Sequence, residues 1–541
     1  MEEFDAVVIG AGHQGLVAAT VLAEAGLSVA VVEAAPEVGG AVRSAEATQP
    51  GLVHDLYATN MNLFLGSPFF ARYGDELAAG GLRFARSAHP YASVFPDGTA
   101  LRVTSDEDAT LAMWRAHSAG DAEGWQRLRA VFDALAQVYL PLYASPQPSW
   151  AAWASARAVW RHRRRVGPGE LAAAMLSSTR ALGERYFATP QARSLAAAWG
   201  MHLDYAPDIA GGAVFPVLEM YADMLGGMSL VEGGAGRLPA ALAELVRGRG
   251  GQVRTGARVA RVEVDTAGAT GVMLADGGRL RARRGVVSTA VLPHLVHELL
   301  ADAPVPAGMR TAADRYRFGP GTFMLHLALD GPIPWRDERL GKFAYVHAGG
   351  YVDDMARTYQ QALAHELPDQ PLLVVGQTST VDPTRAGGTG RHVAWIQVRA
   401  VPARVKGDAH GRISGTRWAD IRDAYADRVV DILEQYAPGV KALELGRAAL
   451  SPDDLQAANG NLIGGDSVSG SHHLDQFLML RPSLALSRYR TPIPGLYLAG
   501  AGTWPGAGVN AVSGQLAAQA LLRAGRRRWS RRPRLSGRRL T

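Results

Sequence analysis

The sequence predicts an α/β protein in which a discontinuous Rossmann-like domain carries an inserted α+β domain. Three observations predict this fold. The N-terminus reads strand, glycine turn, helix and strand; a block of short strands follows at 252–290; and long segments with other patterns separate these blocks from a last strand and helix at 494–523. Because 541 residues exceed what a single hydrophobic core usually holds, two domains are expected.

We predict the Rossmann-like domain at 1–65, 228–300 and 485–525, and the inserted domain at 66–227 and 301–484. The first insertion is rich in alanine and is predicted to be helical, whereas the second combines strands with a helix. The clearest elements of the second insertion are strands at Gly321–Leu329 and His392–Val398 and a helix at 418–436.

The N-terminal unit has the order of elements that binds a dinucleotide. Phe4–Ile9 is an apolar run of strand length, Gly10–Gly15 follows it directly, and Leu16–Ala25 has the composition of a helix. Ser28–Val32 is the next strand, and Glu33 stands at its end. A glycine fingerprint alone is a weak signal, but here it occurs with its strand, its helix and its terminal acid.

Each part of this unit has a physical role toward such a ligand. The first glycine makes the tight turn, the second lets the backbone approach a pyrophosphate, and the third lets helix and strand pack closely. The terminal acid is placed to bind the adenosine ribose and would repel a ribose 2′-phosphate, which disfavours NADP. The residues predicted to bind the dinucleotide here are Gly10, Gly12, His13, Gln14, Gly15 and Glu33.

Four further segments carry a family resemblance. Glu37–Arg43 is similar to the glycine–arginine segment after the second strand in FAD enzymes of the amine oxidase and phytoene desaturase superfamily. Glu232–Leu242 resembles the entry of that superfamily into the second half of its flavin domain. Pro494–Thr503 resembles its last strand and turn, and Trp504–Asn510 resembles the loop under the flavin pyrimidine ring.

Two more segments indicate the branch within the superfamily. Trp199–Asp204 and Ser471–Gln476 resemble the phytoene desaturase-like proteins of the pyridine nucleotide-disulfide oxidoreductase domain-containing branch, to which carotenoid isomerases are similar. The resemblance implies FAD as the cofactor. Ala501 departs from amine oxidases, which usually place Glu or Asp there to bind the ribityl chain. The additional FAD-binding residues that the resemblance implies are Gly40, Arg43, Val259, Gly500, Gly502, Gly508, Val509 and Asn510.

Composition excludes several kinds of chemistry. The chain has no cysteine, so it has no redox disulfide, no cysteinyl flavin and no cysteine nucleophile, and we expect non-covalent FAD. No metal site is expected, because no ligand set has a recognisable spacing. The N-terminus lacks the basic and apolar regions of a secretory signal, and no apolar run reaches membrane-spanning length, so a cytoplasmic location is expected.

The positive charge of the chain is concentrated at its C-terminus. The net charge is +6, but residues 523–541 contain nine arginines and no acid, which leaves −3 for the rest. We predict that 526–541 form a basic, disordered tail. Such a tail could contact anionic lipid, an acidic protein or nucleic acid, of which nucleic acid is the least expected; an inert, solvated extension is the alternative.

A second candidate surface is the segment Trp150–Arg165. Trp150, Trp153 and Trp160 fall on one side of a predicted helix, and a basic cluster follows directly. Aromatic residues beside basic ones are typical of a helix lying in a membrane interface. Two alternatives stay open: a helix packed on the inserted domain, and a docking face for an acidic carrier protein that delivers the substrate.

The resemblance implies an FAD-dependent oxidoreductase that dehydrogenates a C–C bond of an apolar polyene or acyl-chain substrate by hydride transfer to the flavin. A histidine near neutral pKa could accept the proton that leaves with the hydride. The alternatives are a redox-neutral double-bond isomerase, a non-catalytic flavin-bearing interaction protein and an amine oxidase. The histidines considered as catalytic candidates are His54, His202, His472 and His473, and a structural role is the alternative for each.

Overall fold

The computed structural model describes residues 1–162, 164 and 166–530. Its strands are β1 (Glu2–Ile9), β2 (Val29–Val32), β3 (Ser44–Ala45), β4 (His54–Asp55), β5 (Phe84–Ser87), β6 (Tyr91–Val94), β7 (Ala100–Val103), β8 (Met228–Val231), β9 (Gln252–Arg254), β10 (Val259–Asp265), β11 (Gly268–Leu274), β12 (Arg279–Ser288), β13 (Gly321–Leu329), β14 (Tyr345–Ala348), β15 (Glu366–Leu367), β16 (Leu373–Gly376), β17 (His392–Val401), β18 (Gly407–Asp408), β19 (Glu444–Leu450) and β20 (Leu496–Leu498).

The α-helices are α1 (His13–Glu24), α2 (Asn62–Leu65), α3 (Pro68–Ala79), α4 (Glu107–His117), α5 (Ala119–Tyr143), α6 (Ala151–His162), α7 (Pro168–Leu176), α8 (Thr179–Tyr186), α9 (Pro190–Met201), α10 (Val214–Gly226), α11 (Arg237–Gly248), α12 (Leu292–His294), α13 (Ala307–Asp314), α14 (Val352–Leu363), α15 (Thr378–Val381), α16 (Trp418–Tyr436), α17 (Pro452–Ala458) and α18 (Val512–Ser530).

The first sheet is the Rossmann-like core and confirms the predicted fold class. Its strand order is β10-β11-β12-β1-β2-β9, and β20 pairs with β12. The strands β1, β2, β9, β12 and β20 run parallel to their neighbours in this group, with Val7 opposite Val286 on one side and Ala30 on the other. Parallel strands place their carboxyl ends at one edge of a sheet, where ligands of such folds bind.

Helix α1 is held against this sheet by its apolar residues. Leu16, Val17 and Leu22 are fully buried, and each contributes roughly 1.5–3 kcal/mol to the stability of the fold. Helix α18 packs beside α1 at very short range, since a Cβ on Gly514 would lie 2.1 Å from the carbonyl oxygen of Gln14. This contact aligns the first turns of two helices at the same edge of the sheet.

The second sheet has the order β19-β13-β17-β16-β14-β6-β7, and its strands come from 66–227 and 301–484, the segments predicted to form the inserted domain. The observed bounds of β13 and α16 match the predicted strand at 321–329 and helix at 418–436. Helix α16 covers one face, where Trp418 and Tyr425 pack on Phe323. The first insertion is mainly helical, as predicted, but it also supplies β5, β6 and β7, and β6 pairs with β14 of the second insertion.

Helices of the first insertion form a layer over the other face of the second sheet. Helix α6 packs against α5, and the Ser155 hydroxyl donates a hydrogen bond to the Val138 carbonyl oxygen at 2.7 Å. Arg163 and Arg165 of the predicted tryptophan helix lie outside the described residues. Helix α18 extends to Ser530, which takes in the start of the predicted tail, and 531–541 lie outside the described residues. None of the described helices combines the length and apolar character needed to cross a bilayer.

Candidate functional site

The turn between β1 and α1 requires glycine at two positions because there is no space for a side chain. Gly10 has a φ of +93°, and a Cβ there would lie 2.2 Å from Thr289 Oγ1. A Cβ on Gly15 would lie 2.0 Å from the carbonyl oxygen of Gly10. A side chain at either position would therefore force β1, α1 or the segment after β12 to move.

Gly12, between these two glycines, lies under different constraints. It caps α1 with a φ of −67°, a value that other residues adopt readily. A Cβ on Gly12 would meet no protein atom closer than 3.9 Å. The space in front of the first turn of α1 is thus open, and the free N–H groups and the dipole of the helix favour an anionic group there.

The second glycine pair packs directly on this turn. The Gly39 N–H donates to the Ala11 carbonyl oxygen at 2.9 Å, and a Cβ on Gly40 would lie 3.3 Å from the Gly12 Cα. Two segments that are separate in the sequence therefore form one surface at the end of α1. Arg43 follows this pair and brings a positive charge to the same place.

Two nitrogen atoms in this region are buried with no hydrogen-bond partner among the described residues: His13 Nε2 and Arg43 Nε. Burial lowers the pKa of His13 to about 4, so its imidazole is neutral at physiological pH. A buried polar group without a hydrogen bond destabilises the folded state by about 1–3 kcal/mol, and a guanidinium without one destabilises it by more. Both groups are therefore suited to a polar, anionic ligand.

Glu33 lies at the carboxyl end of β2, as predicted. Its carboxylate accepts hydrogen bonds from the backbone N–H groups of Ala11 at 2.7 Å and Ala35 at 2.9 Å. The Ala257 N–H donates to the Glu33 carbonyl oxygen at 2.7 Å, which brings the segment leading to Val259 against the same edge. Val259 and Glu33 therefore both lie at this edge of the sheet, next to the glycine turn.

Gln14 and Asn510 connect the two helix N-termini. Gln14 Nε2 donates to the Asn510 carbonyl oxygen at 2.6 Å and to its Oδ1 at 3.0 Å. Gln14 Oε1 accepts from the Gly514 N–H at 2.7 Å. Both side chains are buried, so their visible role is to fix α1 against α18.

The remaining predicted glycines shape the approach to α18. Gly500 has a φ of +92°, and its N–H donates to Ser513 Oγ at 2.9 Å. A Cβ on Gly502 would lie 3.3 Å from the side chain of Val291. Gly508 has a φ of +100°, and Val509 is 5% exposed. This loop leads into the first turn of α18, where the Val512 N–H donates to Asn510 Oδ1 at 3.0 Å.

Arg481 is a buried residue of this region that the sequence analysis did not single out. Its guanidinium donates to the carbonyl oxygens of Ala501 at 2.9 and 2.8 Å and of Ser471 at 2.7 Å. A Cβ on Gly506 would lie 3.4 Å from Arg481 Nε. A fixed positive charge thus stands behind the loop before α18, where it favours a group that becomes negative during reaction.

An apolar cavity of about 160 Å³ adjoins the same loop. Pro505 and Ala507 of the loop form one wall, and side chains of α5 and α10 form much of the rest. The α5 residues that contribute are Phe132, Ala136, Tyr139, Leu140 and Tyr143. The side chain of Leu140 is 58% exposed, so the cavity reaches the protein surface at the end of α5.

His472 is the one predicted histidine that lines this cavity among the described residues. Its Nε2 accepts a hydrogen bond from the Ala507 N–H at 3.0 Å, which requires that this nitrogen carry no proton. Burial, with the charge of Arg481 adding, lowers the pKa of His472 well below its usual value. His472 therefore fixes the loop as a neutral imidazole.

The other three histidines are held elsewhere. His54 Nε2 pairs with Thr48 Oγ1 at 2.8 Å, and His202 Nε2 pairs with His347 Nε2 at 3.0 Å. His473 Nε2 donates to the backbone carbonyl oxygen of Asp204 at 2.8 Å. Their hydrogen bonds to protein groups match the structural role that the sequence left open for them.

A pair of carboxyl groups on α10 was missed by the sequence analysis. Glu219 lines the cavity, and Asp223 is fully buried four residues later, which places both on one side of the helix. Burial, with the charge of Asp223 adding, raises the pKa of Glu219 well above its usual range. Burial also raises the pKa of Asp223 to about 7. The signal in the sequence is two acids at this spacing within an otherwise apolar segment, 214–226.

Comparisons with known proteins agree with this geometry. The family described as flavin containing amine oxidoreductase matches residues 15–522. Pyridine nucleotide-disulfide oxidoreductase domain-containing protein 2 of Rattus norvegicus is 29% identical, over 96% of this chain and 94% of its own. A limonene dehydrogenase subunit from Castellaniella defragrans is 25% identical, over 96% and 94%. Phytoene desaturase (lycopene-forming) of Paracoccus sp. is 26% identical, over 95% and 96%.

The fold is also similar to that of solved structures. An oxidoreductase from Methanosarcina mazei superimposes with a TM-score of 0.58 and 16% identity, over 96% of this chain and 99% of that one. The residues at the sheet edge fit the cofactor of the family, because they provide open space beside Gly12, two buried nitrogens without a partner among the described residues and a first turn of α1 with no side-chain cap. The chain belongs to the flavin containing amine oxidoreductase family and is an FAD-dependent oxidoreductase.

Proposed function

We propose that this enzyme dehydrogenates a C–C bond of an apolar substrate, forming a double bond. When bound, FAD accepts the hydride that leaves the substrate carbon. The protein binds and orients the substrate, excludes water and receives the proton that leaves with the hydride. The observation that carries the proposal is the apolar cavity between α5, α10 and the loop before α18.

The chemistry of the cavity wall supports an apolar substrate. Its side chains are mainly aromatic and aliphatic, and they provide no cation for a carboxylate or phosphate. A volume of about 160 Å³ holds a small hydrocarbon, or the reacting segment of a longer chain that leaves the protein at Leu140. Small-molecule pockets usually measure about 300–1,000 Å³, so this cavity selects for a narrow molecule or a narrow part of one.

The relatives support the same reaction class. One is named as part of a limonene dehydrogenase and another as a phytoene desaturase, and both names describe removal of hydrogen from an apolar substrate. Ala501 adds to this support, because amine oxidases usually carry an acid at that position. We therefore propose a terpene, polyene or acyl chain as the substrate.

Amine oxidation is the second candidate, and Glu219 is the observation that favours it. A carboxyl group in a cavity lined by Tyr139, Tyr143 and Phe477 could pair with a substrate ammonium group. However, burial raises the pKa of Glu219, which works against a permanent negative charge that would attract a substrate cation. An apolar substrate brings no charge into this cavity, whereas an ammonium group would have to be desolvated among mainly aromatic and aliphatic side chains.

Anaerobic mixing of the FAD-loaded enzyme with a substrate panel tests the proposal. The panel contains monoterpenes, linear polyenes and acyl chains, together with benzylamine and putrescine. We expect a hydrocarbon to bleach the flavin absorbance and to yield a product two hydrogens lighter than the substrate.

Three other results would contradict desaturation, and each would indicate a different function. A product of unchanged mass would indicate double-bond isomerisation. Bleaching by amines but by no hydrocarbon would indicate amine oxidation. An enzyme that no member of the panel reduces, although dithionite reduces it, would favour the non-catalytic interaction protein.

We also propose that three exposed tryptophans, on α6 and directly before it, bind a membrane surface that holds the apolar substrate; α6 packs on α5, which forms part of the cavity wall. Trp150 and Trp153 are 82% and 69% exposed, and their rings stack with centroids 6.4 Å apart. Trp160 of the same segment is 62% exposed. Tryptophan side chains of this kind insert favourably at a lipid headgroup boundary.

Replacing Trp150 and Trp153 together with serine is expected to reduce adsorption to vesicles containing anionic lipid at least severalfold, measured by co-sedimentation. Leu363→Ser is a suitable control, because Leu363 is 53% exposed on α14 and belongs to another surface. Equal adsorption of the double variant, the control and the wild type would contradict membrane binding by these tryptophans. If the wild type but not the double variant captured an acidic carrier protein, the tryptophans would bind a protein partner instead of a membrane.

A further inference from the structure

The carboxyl pair of α10 stands in a setting that a structural role does not explain. Glu219 is half-buried and faces the cavity, and no hydrogen bond from the described residues holds its carboxyl group. Asp223 lies one turn further along, with no exposed surface. Apolar helices rarely carry ionisable groups into a cavity, because burial of a charge is costly unless the charge is used or paired.

Asp223 is fixed in place by the side chain of Asn62 on α2, which the backbone at the start of β8 holds in turn. Its Oδ1 accepts a hydrogen bond from Asn62 Nδ2 at 2.7 Å, and the same nitrogen donates to the Gly227 carbonyl oxygen at 2.7 Å. The Ser229 N–H donates to Asn62 Oδ1 at 3.1 Å, which sets the orientation of the amide. The second oxygen of Asp223 is buried and has no partner among the described residues. The network therefore stabilises one carboxylate charge at Asp223 and leaves one oxygen available to a proton.

The groups around the pair do not change charge near neutral pH. Burial raises the pKa of each surrounding tyrosine and lowers that of the histidine, so all of them stay neutral. The titratable side chains that line the cavity or act on the pair are Tyr91, Tyr139, Tyr143, Tyr205, Tyr345 and His472. Among these titratable side chains of the described structure, the two carboxyl groups are the ones whose pKa values burial raises toward the neutral range.

We propose that Glu219 is the catalytic residue that accepts the proton released by the substrate, with Asp223 as the residue that positions and tunes it. This inference rests on the proposed function. Two C–H bonds of adjacent carbons break and a C=C bond forms: the hydride, with two electrons, goes to oxidised FAD, and the proton goes to a Glu219 carboxylate oxygen. The proton then passes to solvent, and a quinone or oxygen removes the electrons.

The cavity geometry assigns this role to Glu219 rather than to His472. His472 Nε2 is already occupied by the Ala507 N–H, so a proton there would break the bond that holds the loop. Tyr143 has a buried hydroxyl without a partner among the described residues, but burial and the charge of Glu219 raise its pKa, so it cannot act as a base. The hydroxyls of Tyr139 and Tyr205 also line the cavity, but burial raises their pKa, so Glu219 is the remaining base among the described residues that line it.

The Glu219→Gln variant tests the proposal, because glutamine has the same size and cannot accept the proton. We expect hydrocarbon-dependent flavin reduction to slow by about a hundredfold or more, the usual contribution of a general base. FAD content and reduction by dithionite should be unchanged. Glu244→Gln is the matched control, since Glu244 lies on the surface of α11 with its side chain 71% exposed.

The pH dependence separates a proton acceptor from a structural group. The rate of flavin reduction in the wild type should rise with pH through the raised pKa of the pair, because only an ionised carboxyl accepts a proton. Asp223→Asn removes the neighbouring negative charge, so the midpoint should move to lower pH while most of the maximal rate remains. In the Glu219→Gln variant, the rate of flavin reduction should no longer rise with pH through this range.

Four results would overturn the proposal. Wild-type rates and pH profile in Glu219→Gln would remove Glu219 from proton transfer. A rate that falls as pH rises through the same range would make Glu219 a proton donor. A higher KM for amines with unchanged kcat would make it a counter-ion. If no hydrocarbon reduces the wild-type flavin, the proposed function fails as well, and infrared titration of the Glu219 carboxyl then reports whether its pKa is raised independently of any reaction.

Discussion

The Gly12→Val variant is expected to purify without FAD. The side chain would occupy the open space in front of α1, where the approach of the pyrophosphate requires a bare backbone. No protein atom lies within 3.9 Å of a Cβ at this position, and φ of −67° suits valine, so the chain itself should fold. The ratio of flavin absorbance to protein absorbance should fall below about a tenth of the wild-type ratio, a loss of at least ~1.4 kcal/mol in binding free energy.

The control for this variant is Gly308→Val, which adds the same side chain in open space on α13. It should retain a full complement of FAD. Because a bound ligand stabilises the folded state, the Tm of Gly12→Val should be compared with that of wild-type apoprotein rather than holoprotein. A Gly12→Val protein that retains full FAD content would contradict the assignment of the cofactor site.

The Ala136→Trp variant is expected to abolish turnover while FAD stays bound. Ala136 is half-buried on α5 and lines the apolar cavity, whose volume of about 160 Å³ an indole ring would largely fill. We expect kcat/KM for an apolar substrate to fall by about a hundredfold or more, since even small displacements of a reacting carbon have effects of that size. Overpacking should cost about 1–3 kcal/mol of stability.

Gln137→Trp provides the matched control, because Gln137 is the next residue of α5 and is exposed to solvent. Its FAD content and turnover should equal those of the wild type. Steady-state kinetics and flavin absorbance on the same preparations make the comparison. Normal turnover in Ala136→Trp would show that the substrate binds elsewhere, and the cavity would lose its role.

The sequence predicted those parts of the fold whose determinants are local. The strand, glycine turn, helix and terminal acid of residues 1–33 lie within one short segment, and β1, α1 and β2 form there. The bounds of β13 and α16 follow from runs of apolar residues with the periods of a strand and a helix. The pairing of β6 with β14 was missed, because it joins two insertions and depends on contacts remote in sequence.

For the same reason, the sequence predicted some residues of the site but not the long-range contacts between them. Glycines required by backbone geometry, such as Gly10 and Gly15, are visible in a motif. The bridge from Gln14 to Asn510 joins residues far apart in the chain, so its partners could not be identified from spacing. The raised pKa of Glu219 depends on burial by several helices, and a sequence does not report burial of one acid in a cavity.

One measurement tests the central claim most directly: the absorbance spectrum of the purified protein before and after anaerobic addition of apolar hydrocarbons, with mass analysis of the product. We predict oxidised flavin bands in the first spectrum, bleaching in the second, and a product two hydrogens lighter than its substrate. A flavin that hydrocarbons leave oxidised and that amines bleach would contradict desaturation and establish amine oxidation in its place.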